Sequence, residues 1–432
     1  MKVIKIIAFS MIQALICPVL AQSFNLEEAL RVSQESSPEV RKSKAAREEA
    51  EWKNIEAYSF LLPKLNASAL HLADNRYMVS HVNLGGKDIV ITQVSPMTNW
   101  SLRAEWMVFD WFANWDNFQA MRYGASAAVK QNDWALFQLE QNTKIQFYKT
   151  LAADELSKVA RQNVMTLEDH LKRAQRIRDS GAGTDFDVLR VEVQLSEAQS
   201  EQLNAEDIAI LAKKNFFRSL GLEFAEQNLS GDIPIPDSDR VKNLAKPELQ
   251  TRADFQAITD LQWSAHKAHL AAFKHWLPKF SVFGQADYYN NISRGINEQD
   301  YNNSYAVGLL MTWNLFDGFG SMARSAQADE RQIQASESVR QAHLKMDYDF
   351  DFWKRRYLYS SSLYKAKVAD ISKAAESVRL ATKSFNAGTR TNSEVLDAEL
   401  DLFKARAGLV NAKANAIEAL LNLELAMGHK LD

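Results

Sequence analysis

Two stretches of this chain repeat each other: Arg178-Asp-Ser-Gly-Ala-Gly-Thr-Asp-Phe-Asp-Val-Leu-Arg190 and Phe385-Asn-Ala-Gly-Thr-Arg-Thr-Asn-Ser-Glu-Val-Leu-Asp397. They align without a gap at a constant shift of 385 − 178 = 207 residues, which places Gly181 on Gly388. Because an internal repeat marks one structural plan that is used twice, the chain is predicted to consist of two similar halves.

The repeat extends toward the N-terminus. At the same shift, Trp106-Met-Val-Phe-Asp110 falls on Trp313-Asn-Leu-Phe-Asp317. Further upstream, Leu62-Pro-Lys64 resembles Leu277-Pro-Lys279 at a shift of 277 − 62 = 215, so the first copy holds 215 − 207 = 8 additional residues between these markers. Insertions of this kind belong in exposed loops, so a loop is predicted between the two markers of each copy.

The N-terminal segment is typical of a secretory signal peptide. Lys2 and Lys5 precede an uncharged, mostly apolar stretch that ends near Ala21, which is too short for a membrane-spanning helix. Cys17 is the chain's one cysteine, so the predicted mature protein has no thiol for a disulfide, a nucleophile or a metal site. The predicted organisation is a signal peptide 1–21, repeat one 22–232, a Pro-rich linker 233–246 and repeat two 247–432.

The composition favours long helices over several small domains. The 432 residues include 8 prolines and 15 glycines, which leaves few sites for tight turns. The formal net charge is −3, so no basic excess indicates a nucleic-acid partner. After the signal there is no run of 18 apolar residues, so membrane entry would require strands or surface attachment.

Each repeat is predicted to contain the same parts in the same order: a helical lead-in, two strands around a polar loop, a very long helix, a glycine turn and a last helix. The predicted helices are lead-ins at 26–60 and 247–276, long helices at 117–179 and 321–386, and last helices at 185–220 and 392–427. Sixty-odd helical residues span roughly 90 to 100 Å, so these helices are expected to pack lengthwise against neighbours.

The strands alternate between apolar and mixed residues. Tyr305, Val307, Leu309 and Met311 share one face of the strand near residue 305. This period of two is typical of a membrane barrel wall, and equally of a half-buried hairpin on a soluble domain. Four strands cannot close a barrel, and lipid does not tolerate open sheet edges, so a membrane barrel would need several chains.

Aromatic residues lie at both ends of the predicted strands, as bilayer interfaces favour. The predicted membrane belts contain Trp106, Trp111, Trp115 and Trp313 at one end and Tyr288 and Tyr305 toward the loop end.

The residues of the two turns are typical of a helix end followed by the start of another helix. Gly181 and Gly388 stand just past a helix end, where a left-handed residue is favoured. Thr184 and Thr391 are predicted N-caps of the following helices, with an acidic residue three positions later in each case. Each turn therefore predicts an αα-hairpin.

Two such turns, each between long helices in a chain with a predicted signal, resemble the TolC family of outer-membrane efflux proteins. The resemblance covers the whole predicted mature chain. It implies a mainly α fold with a small β part, in which a long α-helical barrel continues into a transmembrane β-barrel that is completed by trimerisation, with four strands per protomer. It also implies a passive exit duct of a tripartite efflux or secretion system, located in the cell outer membrane with its helical part in the periplasm.

The resemblance also implies partners and site residues. The expected partners are two further copies in a homotrimer, a periplasmic adaptor (membrane fusion) protein, an inner-membrane pump and outer-membrane lipid, with no cofactor, metal or nucleic acid. The implied periplasmic gate comprises Phe186, Asp187, Phe385, Arg390, Glu394 and Asp397. The implied adaptor-docking tips comprise Gly181, Thr184, Gly388 and Thr391.

This chain departs from the family pattern at two gate positions. Phe385 stands where the family commonly has an aromatic residue with a hydroxyl, and Phe186 stands where a small polar residue is common. The closed gate is therefore expected to depend on apolar contact and on Arg390 with Asp187.

Two other classes of function remain as alternatives. A coiled-coil structural or adhesive cell-surface protein would share the long helices, but it should not need duplicated hairpins with two aromatic bands. A secreted enzyme would need a catalytic constellation, and no G-x-S-x-G, Walker, Rossmann or H-E-x-x-H motif is present, so the chain is predicted not to be an enzyme. His266, His269 and His275 share one predicted helix and are interpreted as surface or interface residues, with metal binding as the alternative.

Overall fold

The computed structural model describes residues 24–72, 78–93, 98–224, 228–290 and 301–431. The predicted signal peptide 1–21 lies outside the described residues. The helices are α1 (Leu26–Ser36), α2 (Pro38–Ala57), α3 (Ala113–Asp179), α4 (Asp185–Leu220), α5 (Asp239–Lys242), α6 (Ala253–Phe273), α7 (Gly320–Asn386) and α8 (Asn392–Met427). The strands are β1 (Lys64–His71), β2 (Met78–Leu84), β3 (Lys87–Gln93), β4 (Thr98–Phe109), β5 (Lys279–Asn290) and β6 (Tyr301–Thr312).

The helices of the two repeats have equal lengths. The long helices α3 and α7 each contain 67 residues, and the last helices α4 and α8 each contain 36. Their bounds lie within four residues of those predicted from the sequence. The agreement follows from local chemistry, because capping residues and glycines fix the helix ends.

The first lead-in is two helices and not the single helix 26–60 that was predicted. Ser37 separates α1 from α2, and its backbone is extended at φ −59° and ψ 129°. Pro38 explains the break, because the proline ring disfavours helical geometry in the residue before it. In the second repeat, α6 is flanked by 3₁₀ turns at Leu249–Thr251 and Lys274–Trp276.

Four strands form one antiparallel sheet in the order β1-β4-β5-β6. The central pair joins the repeats, because β4 belongs to the first copy and β5 to the second, with Arg103 opposite Gln285. On β4, Trp100, Leu102, Ala104 and Trp106 are exposed, whereas the alternating residues Ser101, Arg103 and Glu105 are half-buried. The alternation predicted from the sequence is therefore present, with one apolar face and one polar face.

The polar face of the sheet is held by side-chain hydrogen bonds. Arg103 donates to Gln285 Oε1 and to Glu105 Oε2, each at 3.3 Å. The Ser281 hydroxyl donates to Glu105 Oε1 at 3.3 Å. The Arg103–Gln285 and Ser281–Glu105 bonds cross between β4 and β5 and add to the backbone ladder that joins the two repeats, whereas the Arg103–Glu105 bond lies within β4.

A second, two-stranded sheet lies where a polar loop was predicted between β1 and β4. Strands β2 and β3 pair as a hairpin around Gly85 and Gly86, which have φ values of 64° and 85°. Two consecutive residues with positive φ form the turn that matches the twist of a β-hairpin, and glycine adopts this geometry without strain. The predicted polar loop therefore contains a β-hairpin that the sequence analysis did not predict.

The chain divides into two compact units, and each contains corresponding parts of both repeats. The first unit consists of the described parts of residues 1–44, 133–252 and 344–432. The second consists of those of 45–132 and 253–343 and includes the sheets. The two units are not the two repeats, so the domain division into repeat one 22–232 and repeat two 247–432 stays a prediction.

The core of the first unit is mainly aromatic and aliphatic. Phe147, Phe216 and Phe217 are fully buried, and Phe147 contacts Phe216 with ring centroids 5.9 Å apart. Gly221 ends α4 at φ 76°, and a Cβ there would lie 2.7 Å from the carbonyl oxygen of Ser36. Both the conformation and the close approach therefore require glycine at this position.

Within the described residues, the helices lack any stretch with the length and apolarity needed to cross a membrane.

Candidate functional site

The two αα-hairpin turns, 180–184 and 387–391, have the same backbone geometry. Gly181 and Gly388 have φ values of 79° and 74°, so both are left-handed as predicted. The N–H of Gly181 donates to Arg178 O at 2.8 Å, and the equivalent N–H of Gly388 donates to Phe385 O at 2.9 Å. These bonds satisfy carbonyl groups at the helix ends in the same way in both turns.

Capping residues begin the helix that follows each turn. The N–H of Asp187 donates to Thr184 Oγ1 at 3.2 Å, and the N–H of Thr184 donates to Asp187 Oδ2 at 3.3 Å. In the second turn, the N–H of Thr391 donates to Glu394 Oε2 at 2.9 Å. The threonine and acidic residues predicted as caps therefore act together in both turns.

The cap also sets the charge of Glu394. The backbone N–H of Thr391, and then the positive charge of Arg390, lower the pKa of this carboxyl group from its ordinary value. Arg390 Nη1 lies 3.2 Å from Glu394 Oε1, within the same helical turn. The carboxylate therefore stays ionised at pH values where free glutamate begins to take up a proton.

The structure does not bring Arg390 and Asp187 together within one chain. Arg390 pairs with Glu394, and Asp187 is engaged by Thr184. Each side chain contacts its own turn because the capping partner is only a few residues away. An Arg390–Asp187 contact stays a prediction for the assembled channel.

The two predicted gate phenylalanines have different surroundings. Phe186 is 69% exposed. Phe385 packs against a small cluster of buried residues that contains Ala381, Val395 and Ala398. The side chain of Phe385 therefore belongs to the packing between α7 and α8, whereas Phe186 is available to a neighbour.

An ionic link that sequence reasoning missed joins the two hairpins. Arg190 of α4 donates to Ser393 Oγ at 2.5 Å, and its Nη2 lies 3.9 Å from Asp397 Oδ1 of α8. Asp397 was predicted as a gate residue, but its partner was not. A signal was present in the sequence, because Arg190 and Asp397 stand at equivalent positions of the repeat with opposite charges.

A buried polar cluster lies in the same unit and was also missed. His170 of α3 is 3% exposed, and its Nδ1 lies 2.9 Å from Glu399 Oε2 of α8. Its Nε2 lies 2.6 Å from Asn392 Oδ1, at the start of α8. Glu399 and Asn392 are themselves 6% and 5% exposed, so α3 and α8 are joined by polar groups that are shielded from water.

The predicted aromatic belts lie in the unit that contains the sheets. The indole Nε1 of Trp106 donates to Leu61 O at 2.9 Å, and that of Trp313 donates to Trp276 O at 3.2 Å. These donors and acceptors occupy matching places in the two repeats. Exposed indoles whose N–H groups are satisfied at strand ends suit a water–lipid boundary.

The remaining belt residues are also at the surface. Trp111 Nε1 donates to Pro278 O at 3.0 Å, and the Trp115 ring lies 5.3 Å from that of Phe118. Tyr288 stacks on Tyr301 with centroids 4.6 Å apart. Tyr305 is 87% exposed on the apolar face of β6. Their assignment to the membrane interface stays a prediction.

The three histidines of the lead-in region have separate surroundings. His266 lies against the Trp263 ring at 5.8 Å, and His269 Nδ1 lies 3.8 Å from Asp329 Oδ1. His275 Nδ1 lies 3.1 Å from Lys279 Nζ. The structure does not assemble the three into one site.

Comparison with known proteins identifies the family. The profile of the family described as outer membrane efflux protein matches residues 29–222 and 244–429, which correspond to the two repeats. The outer membrane protein TolC of Escherichia coli (strain K12) is 24% identical over 425 residues, which covers 95% of this chain and 83% of that protein. The alkaline protease secretion protein AprF of Pseudomonas aeruginosa is 26% identical over 307 residues, which covers 64% of this chain and 58% of that protein.

A solved structure shows the same fold. The outer membrane protein VceC from Vibrio cholerae superposes with a TM-score of 0.77 at 16% identity, covering 94% of this chain and 97% of that chain. The predicted fold class, mainly α with a small β part, is therefore confirmed.

The chain belongs to the outer membrane efflux protein family. It is an outer-membrane channel of an efflux or secretion system, and its helical part is periplasmic. The alternative of a coiled-coil surface protein is not favoured.

Proposed function

We propose that this channel is a homotrimeric, passive exit duct that is closed at its periplasmic end by the two helical turns. The single observation that supports this most strongly is the link between the repeats at the turns, where Arg190 of α4 contacts Ser393 and Asp397 of α8. Because these side chains join separate hairpins, breaking the link would free the hairpins to move apart.

Trimerisation is supported by the order of the strands. Strands β1 and β6 stand at the two edges of the four-stranded sheet. Open edges carry unpaired backbone groups that are costly in lipid, so both strands need partners from neighbouring copies. Three protomers would supply 3 × 4 = 12 strands, in which β6 of one copy pairs with β1 of the next.

The acidic side chains at the turns would determine which ions pass. The Glu394 side chain is about half-exposed and the Asp397 side chain is mostly exposed. Three-fold symmetry would place three copies of each around the axis. Rings of carboxylates favour cations over anions in a pore. The proposed duct is therefore cation-preferring at its periplasmic end.

The turns are also the proposed docking surface for a periplasmic adaptor protein. A Cβ atom added at Gly181 or at Gly388 would meet no atom within 4 Å, so both turns project into open space. Thr184 and Thr391 lie beside them, and the exposed Phe186 ring offers an apolar contact. An inner-membrane pump that acts through this adaptor would supply the energy, and the channel itself would catalyse no reaction.

The proposal is tested by single-channel conductance of the purified protein in a planar bilayer. Wild type should give a small, cation-preferring conductance, and Arg190→Ala combined with Asp397→Ala, which removes the contact between the hairpins, should give a larger one. The matched control is Arg47→Ala combined with Glu51→Ala, because this pair is also an exposed arginine–carboxylate contact, at 3.3 Å, but lies in α2. Equal conductance in all three proteins would contradict a gate at the turns.

A further inference from the structure

The strand pairs that occur once in each repeat have the same register. Strand β1 pairs with β4 in the first repeat, and β5 pairs with β6 in the second. Lys64 lies opposite Glu105, and Lys279 lies opposite Thr312. The repeat shifts of 215 and 207 residues convert the first pair into the second. The shifts therefore give the correct register where the chain contains both copies of a junction.

The end of β6 is missing a ladder partner that the end of β4 has. Residues 106–109 are the last four of β4, and β5 supplies their partners, down to Phe280 opposite Phe109. The corresponding residues 313–316 are not a strand, because β6 ends at Thr312, opposite the first residue of β5. The stretch 313–316 therefore has the sequence of a strand and no ladder partner among the described residues.

The strand that corresponds to β5 is β1, at the far edge of the same sheet. Within one chain β1 and β6 are three strand spacings apart, about 14 Å, so they cannot pair with each other. All eight residues of β1 and ten of the 12 in β6 are exposed, so both edges are accessible to another copy.

We propose that β6 of one copy pairs with β1 of the next in the register that β4 and β5 have within the chain, which places Met311 opposite Ala69 of the partner subunit. The repeat shifts convert the within-chain pair of Ala104 and Gly284 into this contact. A slip by one residue would turn the polar side of β1 to the apolar face of the sheet. The inference rests on the proposed trimer, and it adds the register of the contact between its copies.

The junction between copies differs at Gly318 from the junction within a copy. Trp111 and Gly318 correspond in the repeat, and both are left-handed, with φ values of 61° and 65°. The Trp111 indole donates from Nε1 to the carbonyl oxygen of Pro278 at 3.0 Å. Pro278 corresponds to Pro63, so Gly318 lies beside Pro63 of the partner subunit but offers no indole to it. The proposed trimer therefore has a hydrogen bond at the junction inside each copy that the junction between copies lacks.

Paired cysteines in the full chain test the register. Met311→Cys combined with Ala69→Cys should form a disulfide between copies on oxidation, because directly opposite strand residues lie within the Cα distance that a disulfide allows. Electrophoresis without reductant should show covalent dimers and trimers that disappear on reduction. The chain's one natural cysteine, Cys17, lies in the predicted signal peptide. Ala104→Cys with Gly284→Cys is the matched reference, which should form the equivalent disulfide within one chain and no covalent dimer.

A slipped pair separates failure of the register from failure of the trimer. Met311→Cys with Ala67→Cys joins residues that are about 7 to 8 Å apart in the proposed register, so covalent dimers should be absent. Cross-linking of this pair instead of the first would overturn the register and leave the trimer in place. A trimeric protein that neither pair cross-links would overturn the pairing of β6 with β1, whereas a monomeric protein would contradict the proposed trimer itself.

Substitutions at Gly318 test the contact with Pro63 of the partner subunit. Gly318→Trp introduces the indole found in the first repeat, and a Cβ at this position meets no atom of its own copy within 4 Å. Gly318→Phe has the same backbone conformation and an aromatic ring but no hydrogen-bond donor, so it is the matched control. In detergent, the Gly318→Trp trimer should dissociate about fivefold less than the Gly318→Phe trimer, the effect of one net hydrogen bond. Equal dissociation of the two would overturn this contact.

Discussion

Arg190 and Asp397 occupy equivalent positions in the two repeats, and their side chains face each other with Nη2 and Oδ1 3.9 Å apart. One repeat therefore has a positive side chain at this position and the other has a negative one. Two copies that contact each other through equivalent faces bring equivalent positions together, and like charges there would repel. The divergence of this one position converts a repeated surface into an ionic link between α4 and α8.

A charge exchange tests this link. Asp397→Arg should place two guanidinium groups together and raise the open probability of the channel, and Arg190→Asp should do the same with two carboxylates. Both groups are partly exposed, so each single reversal is expected to change the closed-to-open ratio by only about 2- to 5-fold. The double variant Arg190→Asp with Asp397→Arg should return toward wild type in single-channel recordings.

The open probability of the double variant decides whether Arg190 and Asp397 interact directly. Partial recovery of closure indicates that the two side chains interact directly. If the double variant opens as much as the two single variants combined, the two residues act independently, and the link is not part of the gate.

The first turn and the second turn should tolerate alanine better than a large side chain. Gly388 has a positive φ, so Gly388→Ala should cost about 1 to 2 kcal/mol of local stability from backbone strain. Gly388→Trp has the same strain and additionally fills the open space of the proposed docking surface. We expect Gly388→Trp to impair export in cells strongly while trimers persist, and Gly388→Ala to retain most export. Equal export by the two variants would contradict adaptor docking at this turn.

The two indole hydrogen bonds at the strand ends should contribute equally to stability. Trp106→Phe and Trp313→Phe each remove one bond to a backbone carbonyl, and each is expected to cost about 1 kcal/mol. Thermal unfolding in detergent measures the loss, with Tyr305→Phe as the control because that side chain is largely exposed. A Trp313→Phe protein as stable as wild type would show that the bond contributes nothing at this boundary.

Cation preference should persist at acid pH because of the cap on Glu394. The Thr391 N–H and Arg390 lower the pKa of this carboxyl group. Glu394 therefore keeps its negative charge at the ordinary pKa of glutamate and loses it only when the pH falls through the lowered pKa. In an Asp397→Asn background, reversal potentials should therefore indicate cation preference down to about pH 4, near the ordinary value for glutamate. Glu394→Gln in the same background should lack this preference at every pH.

Much of the helical architecture was predictable because its determinants are local. The glycine turns and the Thr-x-x-acid caps fix the ends of α4 and α8, and both capping arrangements are present in the structure. The break at Ser37 was missed although Pro38 was readable in the sequence. The β2–β3 hairpin was missed although Gly85-Gly86 is a hairpin signal, because the flanking residues were interpreted as a polar loop.

The links between the hairpins were not predictable in the same way. Arg190 and His170 gain their roles from residues that are 203 to 229 positions away in the sequence. Their pairing depends on how α8 packs against α3 and α4, which no local pattern specifies. Arg390 and Asp187 were predicted as partners, but each contacts its own turn within the chain, because a neighbour three or four residues away competes effectively with a distant one.

The most direct test of the account is a reversible lock across the link between α4 and α8. Arg190→Cys with Ser393→Cys replaces the two groups that are 2.5 Å apart, and the chain's one cysteine, Cys17, lies in the predicted signal peptide. A reducible bifunctional thiol reagent of about the length of the lost arginine side chain would join them. We predict a small single-channel conductance while the lock is in place and a large one after reduction. The same conductance before and after reduction would contradict closure of the channel at these turns.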